Sequence, residues 1–145
     1  MTKIYVASSW RNTYQPIVVN KLREHGFNVY DFKRDGGFRW SSIDPNWQCW
    51  NFEEYLNGLK DPKAIEGFMN DYKNMKESDI CVLVLPCGSS AHLEAGYFTF
   101  DSSRHLIIYI PPKEIFEPEL MYKLADYISN DIDKIIDYID CLEVK

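Results

Sequence analysis

Ile80-Cys81-Val82-Leu83-Val84-Leu85 is an unbroken apolar run closed by Pro86, with no alternation along it. A strand with one wet face alternates apolar and polar residues. A continuous run rich in Val, Ile and Leu instead suits a strand covered on both faces, as in a parallel α/β sheet. Pro86 and Gly88 stop the strand, and Ser89 and Ser90 open a predicted helix. Their hydroxyls can cap that helix, and its first backbone N–H groups form the positive end of a dipole that attracts anions. Glu94 lies one helical turn further in, where an ionised side chain is unusual unless it is solvated or has a task. The carboxyl ends of the strands are where open α/β sheets take their ligands.

The remaining pattern fits that architecture. Lys3 to Ala7 reads as a first strand and Ser8 to Thr13 as a polar loop. A helix is expected from about Tyr14 to His25, with Pro16 in its first turn and Gly26 ending it. Asn28 to Asp31 supplies a second strand. Phe32 to Trp50 holds Gly36-Gly37, Pro45 and the tryptophans Trp40, Trp47 and Trp50, and has the look of a functional loop. Two helices follow, one near Phe52 to Leu59 and one from Asp61-Pro62 to about Ser78, with Ile65, Phe68, Tyr72 and Met75 on one face of the second. After the Glu94 helix come a strand at His105 to Ile110, a helix from Glu117-Pro118 through Ala125, an extended piece at Tyr127-Ile128, and a last helix. Ser129 or Asn130 would cap that helix, and Ile132, Ile135, Ile136 and Ile139 would form its apolar face. The expected fold is a doubly wound, mostly parallel sheet of about five strands with helices on both faces, a Rossmann- or flavodoxin-like arrangement.

Length and charge narrow the function. The 145 residues suffice for one domain, 1–145, with a sizeable core. A net charge of −6 without a basic run argues against nucleic acid as partner and in favour of a small ligand. No stretch approaches the ~18 apolar residues of a membrane helix, and the N-terminus lacks the apolar core of a signal peptide, so a cytoplasmic location without membrane contact is expected. Cys49, Cys81, Cys87 and Cys141 show no Cys-x-x-Cys pair and read as free thiols. No His/Cys spacing suggests a metal and no Gly-x-Gly-x-x-Gly suggests a dinucleotide, so no cofactor is expected.

Three separated motifs resemble those of the nucleoside 2-deoxyribosyltransferase family and its relatives that hydrolyse 2'-deoxynucleoside 5'-monophosphates. Ile4-Tyr5-Val6-Ala7-Ser8-Ser9-Trp10-Arg11 resembles the family's first strand and the loop ending in arginine, with Ser8 where relatives often carry glycine. Asp71, eight residues before Asp79, matches the helix aspartate placed beside the sugar. Glu94-Ala95-Gly96-Tyr97 resembles the Glu-x-Gly-Tyr signature whose glutamate is the nucleophile. The resemblance implies N-glycosidic bond cleavage or transfer on a nucleoside or nucleoside 5'-monophosphate, through a covalent ribosyl-glutamate. It also implies a homo-oligomer in which a segment like Glu119-Leu120-Met121-Tyr122 completes a neighbour's pocket.

Breaking an N-glycosidic bond passes through an oxocarbenium-like sugar, which calls for a carboxylate near C1' and a proton for the leaving base. Glu94 and Asp71 are the candidates. Two carboxyl groups held close disfavour joint ionisation, so one proton stays available near neutrality. Ser8, Ser9 and Arg11, facing Gly88, Ser89 and Ser90 across the crevice, are suited to a phosphate or sugar hydroxyl. Tyr5 either lines the pocket or is a core tyrosine. Trp10 or Trp40 is expected to stack on the base, with Trp47 and Trp50 left to packing or a subunit contact. Lys33, Arg34 and Arg39 either meet further phosphates or are solvated. His92 points away from Glu94 and reads as structural. The alternative from another class is a protein that binds a nucleotide-derived signal without cleaving it.

Overall fold

A computed structural model describes residues 2–143, so positions 1, 144 and 145 of the expected 1–145 unit lie outside the described residues. Strands β1 (Lys3–Ala7), β2 (Asn28–Asp31), β3 (Ile80–Val84), β4 (His105–Tyr109) and β5 (Tyr127–Ser129) form one sheet in the order β2-β1-β3-β4-β5. Every neighbouring pair is parallel. The apolar run at 80–85 occupies the centre, and all five residues of β3 are buried. The doubly wound expectation therefore holds.

Alternation along the strands divides the core into two layers. Ile4, Val6, Ile80, Val82, Val84 and Ile107 face α1 (Gln15–Glu24) and α5 (Ile132–Glu143), where Val18, Val19, Leu22, Ile135, Ile136 and Ile139 meet them. Tyr5, Ala7, Cys81, Leu83, Leu106 and Ile108 face the other way, towards Met75 of α3 (Pro62–Glu77) and Ala91, Ala95 and Phe98 of α4 (Ser89–Phe98). A short helix, α2 (Phe52–Leu59), precedes α3 and is opened by a reciprocal capping box between Asn51 and Glu54.

Three local expectations are corrected. Ser89 and Ser90 do not cap α4. Gly88 is the N-cap, and neither hydroxyl bonds to the helix end, because both serines already lie within its first turn. The cap of α5 is Asp131, whose carboxylate accepts from the Asp133 N–H at 2.9 Å, instead of Ser129 or Asn130. The segment after Glu117-Pro118 forms only a 3₁₀ turn, Leu120–Leu124, with no buried residue. Its Leu, Met and Leu favour helix by composition, but without a surface to cover them nothing propagates a nucleus. The apolar face of α3 is mostly open: Ile65 and Phe68 are 49% and 62% exposed, and of its four residues only Met75 is buried.

Candidate active site

The order β2-β1-β3 places the switch of winding direction between β1 and β3, and the loops leaving their carboxyl ends flank a crevice. Ser8, Ser9, Trp10 and Arg11 come from the β1 loop, and Gly88, Ser89 and Ser90 from the start of α4; all line one cavity of about 1170 Å³. Asn12 braces the two loops. Its amide donates to the carbonyls of Val84 and Pro86 at 3.2 and 2.9 Å, while its oxygen accepts from the N–H groups of Tyr14 and Gln15. Ser8 adds a second tie, donating to the Val84 carbonyl at 2.8 Å. Its hydrogen is thus spent on the scaffold, leaving Ser9, Ser89, Ser90 and the backbone N–H groups opening α4 as the neutral donors of the crevice.

Glu94 and Asp71 line the same cavity from opposite helices. Both are partly buried. Loss of water, and then the nearby Asp71 charge, push the Glu94 carboxyl from 4.5 up to about 7. The Tyr5 phenol opposes part of that rise, though its oxygen forms no completed hydrogen bond. Burial also raises Asp71, against a hydrogen bond from Tyr30 that lowers it. Below about pH 7 Glu94 therefore tends to hold a proton while its neighbour is charged.

Tyr5 does not line the cavity: it is fully buried beneath the carboxyl pair, stacked on Tyr30 at 5.3 Å, and its phenol is held neutral by burial and the two carboxylates. Position 5 alternates with Ile4 and Val6, so it faces the α3–α4 layer but under it.

The Phe32–Trp50 segment builds the opposite wall. It starts with a π-helical turn at Phe32–Gly36 and continues through short 3₁₀ turns at Trp40–Ser42 and Trp47–Cys49. Phe38 packs close against Gly67 of α3, and Trp50 against Gly58 of α2; a Cβ at those glycines would come within 2.9 and 2.5 Å of the rings. Trp40 packs edge-on between Phe38 and Trp50, at 5.0 and 5.5 Å. Trp10 and Trp40 both reach the cavity, and so does Trp47, which sequence reasoning had left to packing. Trp50 is the packing residue, its indole N–H donating to Asp44 at 2.8 Å. Arg39 also lines the cavity, its guanidinium 4.3 Å above the Trp10 ring. Lys33 does not, since its ammonium is tied to the Asn12 carbonyl at 2.9 Å. Arg34 is likewise absent from the lining.

Phe68, Tyr72 and Met75, from the shared apolar face of α3, are cavity lining, as is Tyr97 of the Glu94 motif. His92 is structural in its contacts, bonding to the Gly88 carbonyl at 2.8 Å and to the Tyr122 hydroxyl at 2.9 Å. Sequence reasoning missed Tyr30 and Asn70, which hold Asp71 from below. Gly36-Gly37 and the adjacent Asn70-Asp71 pair were the available signals. Among the described residues no three His, Cys, Asp or Glu side chains converge as metal ligands, and no helix is long and apolar enough to cross a membrane.

No protein-family model matches the sequence, and no curated protein matches it either. Solved structures do. A conserved protein from Enterococcus faecalis V583 superposes with a TM-score of 0.65 at 16% identity, over 97% of this chain and 98% of that one. A 2-deoxyribosyltransferase from the psychrotolerant bacterium Bacillus psychrosaccharolyticus superposes with a TM-score of 0.58 at 21% identity, over 92% and 90%. The backbone that carries Glu94, Asp71 and the aromatic wall thus has the fold of a bacterial 2-deoxyribosyltransferase.

Proposed function

We propose that residues 1–145 act as one enzyme unit that cleaves, or transfers, the N-glycosidic bond of a (deoxy)nucleoside or nucleoside 5'-monophosphate. The observation that carries this reading is the pair of partly buried carboxyl groups, Glu94 and Asp71, facing one cavity walled by Trp10, Trp40, Phe38 and Tyr97, with burial pushing both up. A flat base has aromatic surface to stack on, worth about 1–3 kcal/mol. Arg11, Ser9, Ser89, Ser90 and the α4 N-terminus suit a sugar hydroxyl or a 5'-phosphate. The shared fold of a 2-deoxyribosyltransferase supports the same class of chemistry.

In this mechanism the pair's proton passes by way of Asp71 to the departing base. The C1'–N bond breaks as the freed Glu94 carboxylate bonds C1', forming a ribosyl ester. Asp71 remains ionised beside the cationic sugar. Water or a second base then attacks C1', the ester C–O bond breaks, and the proton lost by that nucleophile returns to the pair. Trp10 and Trp40 hold the base, and a neighbouring subunit's Glu119–Tyr122 segment closes the pocket in a homo-oligomer.

The test is incubation with a panel of nucleosides and 5'-monophosphates, with chromatography for free base and an added second base to separate transfer from hydrolysis. Base should appear with wild type and vanish with Glu94→Ala. Tight binding of a nucleotide with no base released would replace this reading by the non-catalytic one.

A further inference from the structure

Asp71 is the only member of the carboxyl pair with a completed protein hydrogen bond among the described residues: Tyr30 donates to its Oδ1 at 2.7 Å. That phenol oxygen in turn accepts from the Asn70 amide at 3.1 Å, and the same nitrogen donates to the Asp35 carbonyl, also at 3.1 Å. The direction of the chain is forced. A carbonyl can only accept, so Asn70 must present its NH₂ group to Asp35 and hence to Tyr30, and the phenol's single hydrogen is left for Asp71. An Oδ1 that accepts this bond favours the ionised form of Asp71.

The clamp is packed as well as bonded. Tyr30 is 4% exposed and stacked on Tyr5. Gly36 closes over its hydroxyl so tightly that a Cβ there would lie 2.6 Å from the phenol oxygen and 3.3 Å from Asp71 Oδ1. The titratable and charged groups around the two carboxyls are Tyr5 from β1, Tyr30 from β2, Asp35 from the turn after it, Cys81 from β3 and Cys87 from the loop beyond, and Tyr72, Tyr97, Arg11 and Arg39 face the same cavity; no lysine or arginine shifts either carboxyl.

From this geometry we infer that Tyr30, locked by Asn70 and Gly36, is a positioning residue that keeps Asp71 as the ionised member of the pair, so that the pair's one proton rests on Glu94 until substrate arrives. The inference rests on the glycosidic-bond reading for its role in catalysis, but not for its test. Tyr30→Phe keeps the ring and its stacking and removes only the donor. In carbon-13 NMR titration of the substrate-free protein, the Asp71 midpoint should rise by about one pH unit, the size of a lost charge-assisted hydrogen bond. The acid limb of kcat/KM should move up by the same amount, with kcat about tenfold lower and KM little changed. Gly36→Ala, whose methyl displaces the phenol and also crowds Asp71 Oδ1 while leaving both carboxyl groups in the chain, should shift the same midpoint in the same direction and remains readable if Tyr30→Phe folds poorly. Unmoved Asp71 midpoints in the folded variants would overturn the inference. A wild-type protein that releases no base would remove the reaction, while the midpoints still decide whether Tyr30 holds Asp71 ionised.

Discussion

The two faces of the sheet share strands and differ in almost everything else. The face under α1 and α5 is mainly aliphatic, with Ile, Val and Leu from strand and helix in mutual contact and Phe27 and Tyr109 among them. The face under α3 and α4 carries Tyr5, Tyr30, Cys81 and Met75, and next to them two carboxyl groups that burial forces towards the neutral state. The first layer lowers the free energy of the fold. The second raises it locally, through the desolvated Glu94 and the unpartnered Tyr5 hydroxyl, as expected where a protein holds reactive groups ready. Because successive strand residues point to opposite faces, β1 to β4 each contribute to both layers.

Substitutions should separate the two faces. The largest effect on chemistry is expected at Glu94: Glu94→Gln should lower base release by at least about 10⁴-fold, measured by chromatography. On the aliphatic face, Ile139→Ala should cost about 2–5 kcal/mol in urea unfolding, since Ile139 is fully buried, and leave kcat of the folded fraction unchanged. Glu94→Gln should also reveal the local cost of the reactive face. Between pH 4.5 and about 7 the unfolded chain ionises Glu94 while the fold keeps it protonated, so wild-type stability falls through that window and levels off above it. The glutamine variant lacks that fall and should be more stable at pH 8 by up to about 3 kcal/mol, but not at pH 4. Asp71→Asn removes the charge that helps raise Glu94, so the Glu94 midpoint should fall below 7 by NMR titration. Trp40→Ala is the mildest, raising KM about 10- to 100-fold with folding retained, if a base stacks there.

The order of strands and helices was legible because it rests on local signals: the unbroken run at 80–85, the isoleucines of α5, and Gly26 after α1, which does adopt a left-handed φ of 96°. Glu94 was legible for the same reason, since strand, turn and helix that present it are contiguous. Tyr30 was not. Its role depends on contact with Asp71 across 41 residues, and a tyrosine in a short strand reads first as core. The apolar face of α3 was legible, but not what it covers, because a helical apolar period marks a face without saying whether core or cavity lies opposite it. Residues 117–125 show composition suited to a helix but lacking a surface to cover it.

The close seating of Phe38 on Gly67 and Trp50 on Gly58 has a consequence for how this molecule tolerates change. Within an isolated helix, exchanging glycine for alanine is favourable by about 1 kcal/mol. Here the added methyl would lever an indole or phenyl ring outward and reshape the far wall of the crevice, with both carboxyl groups left untouched. Two notches, one of them a single helical turn before Asp71, thus set how closely the aromatic wall can sit, and drift in substrate preference would begin there.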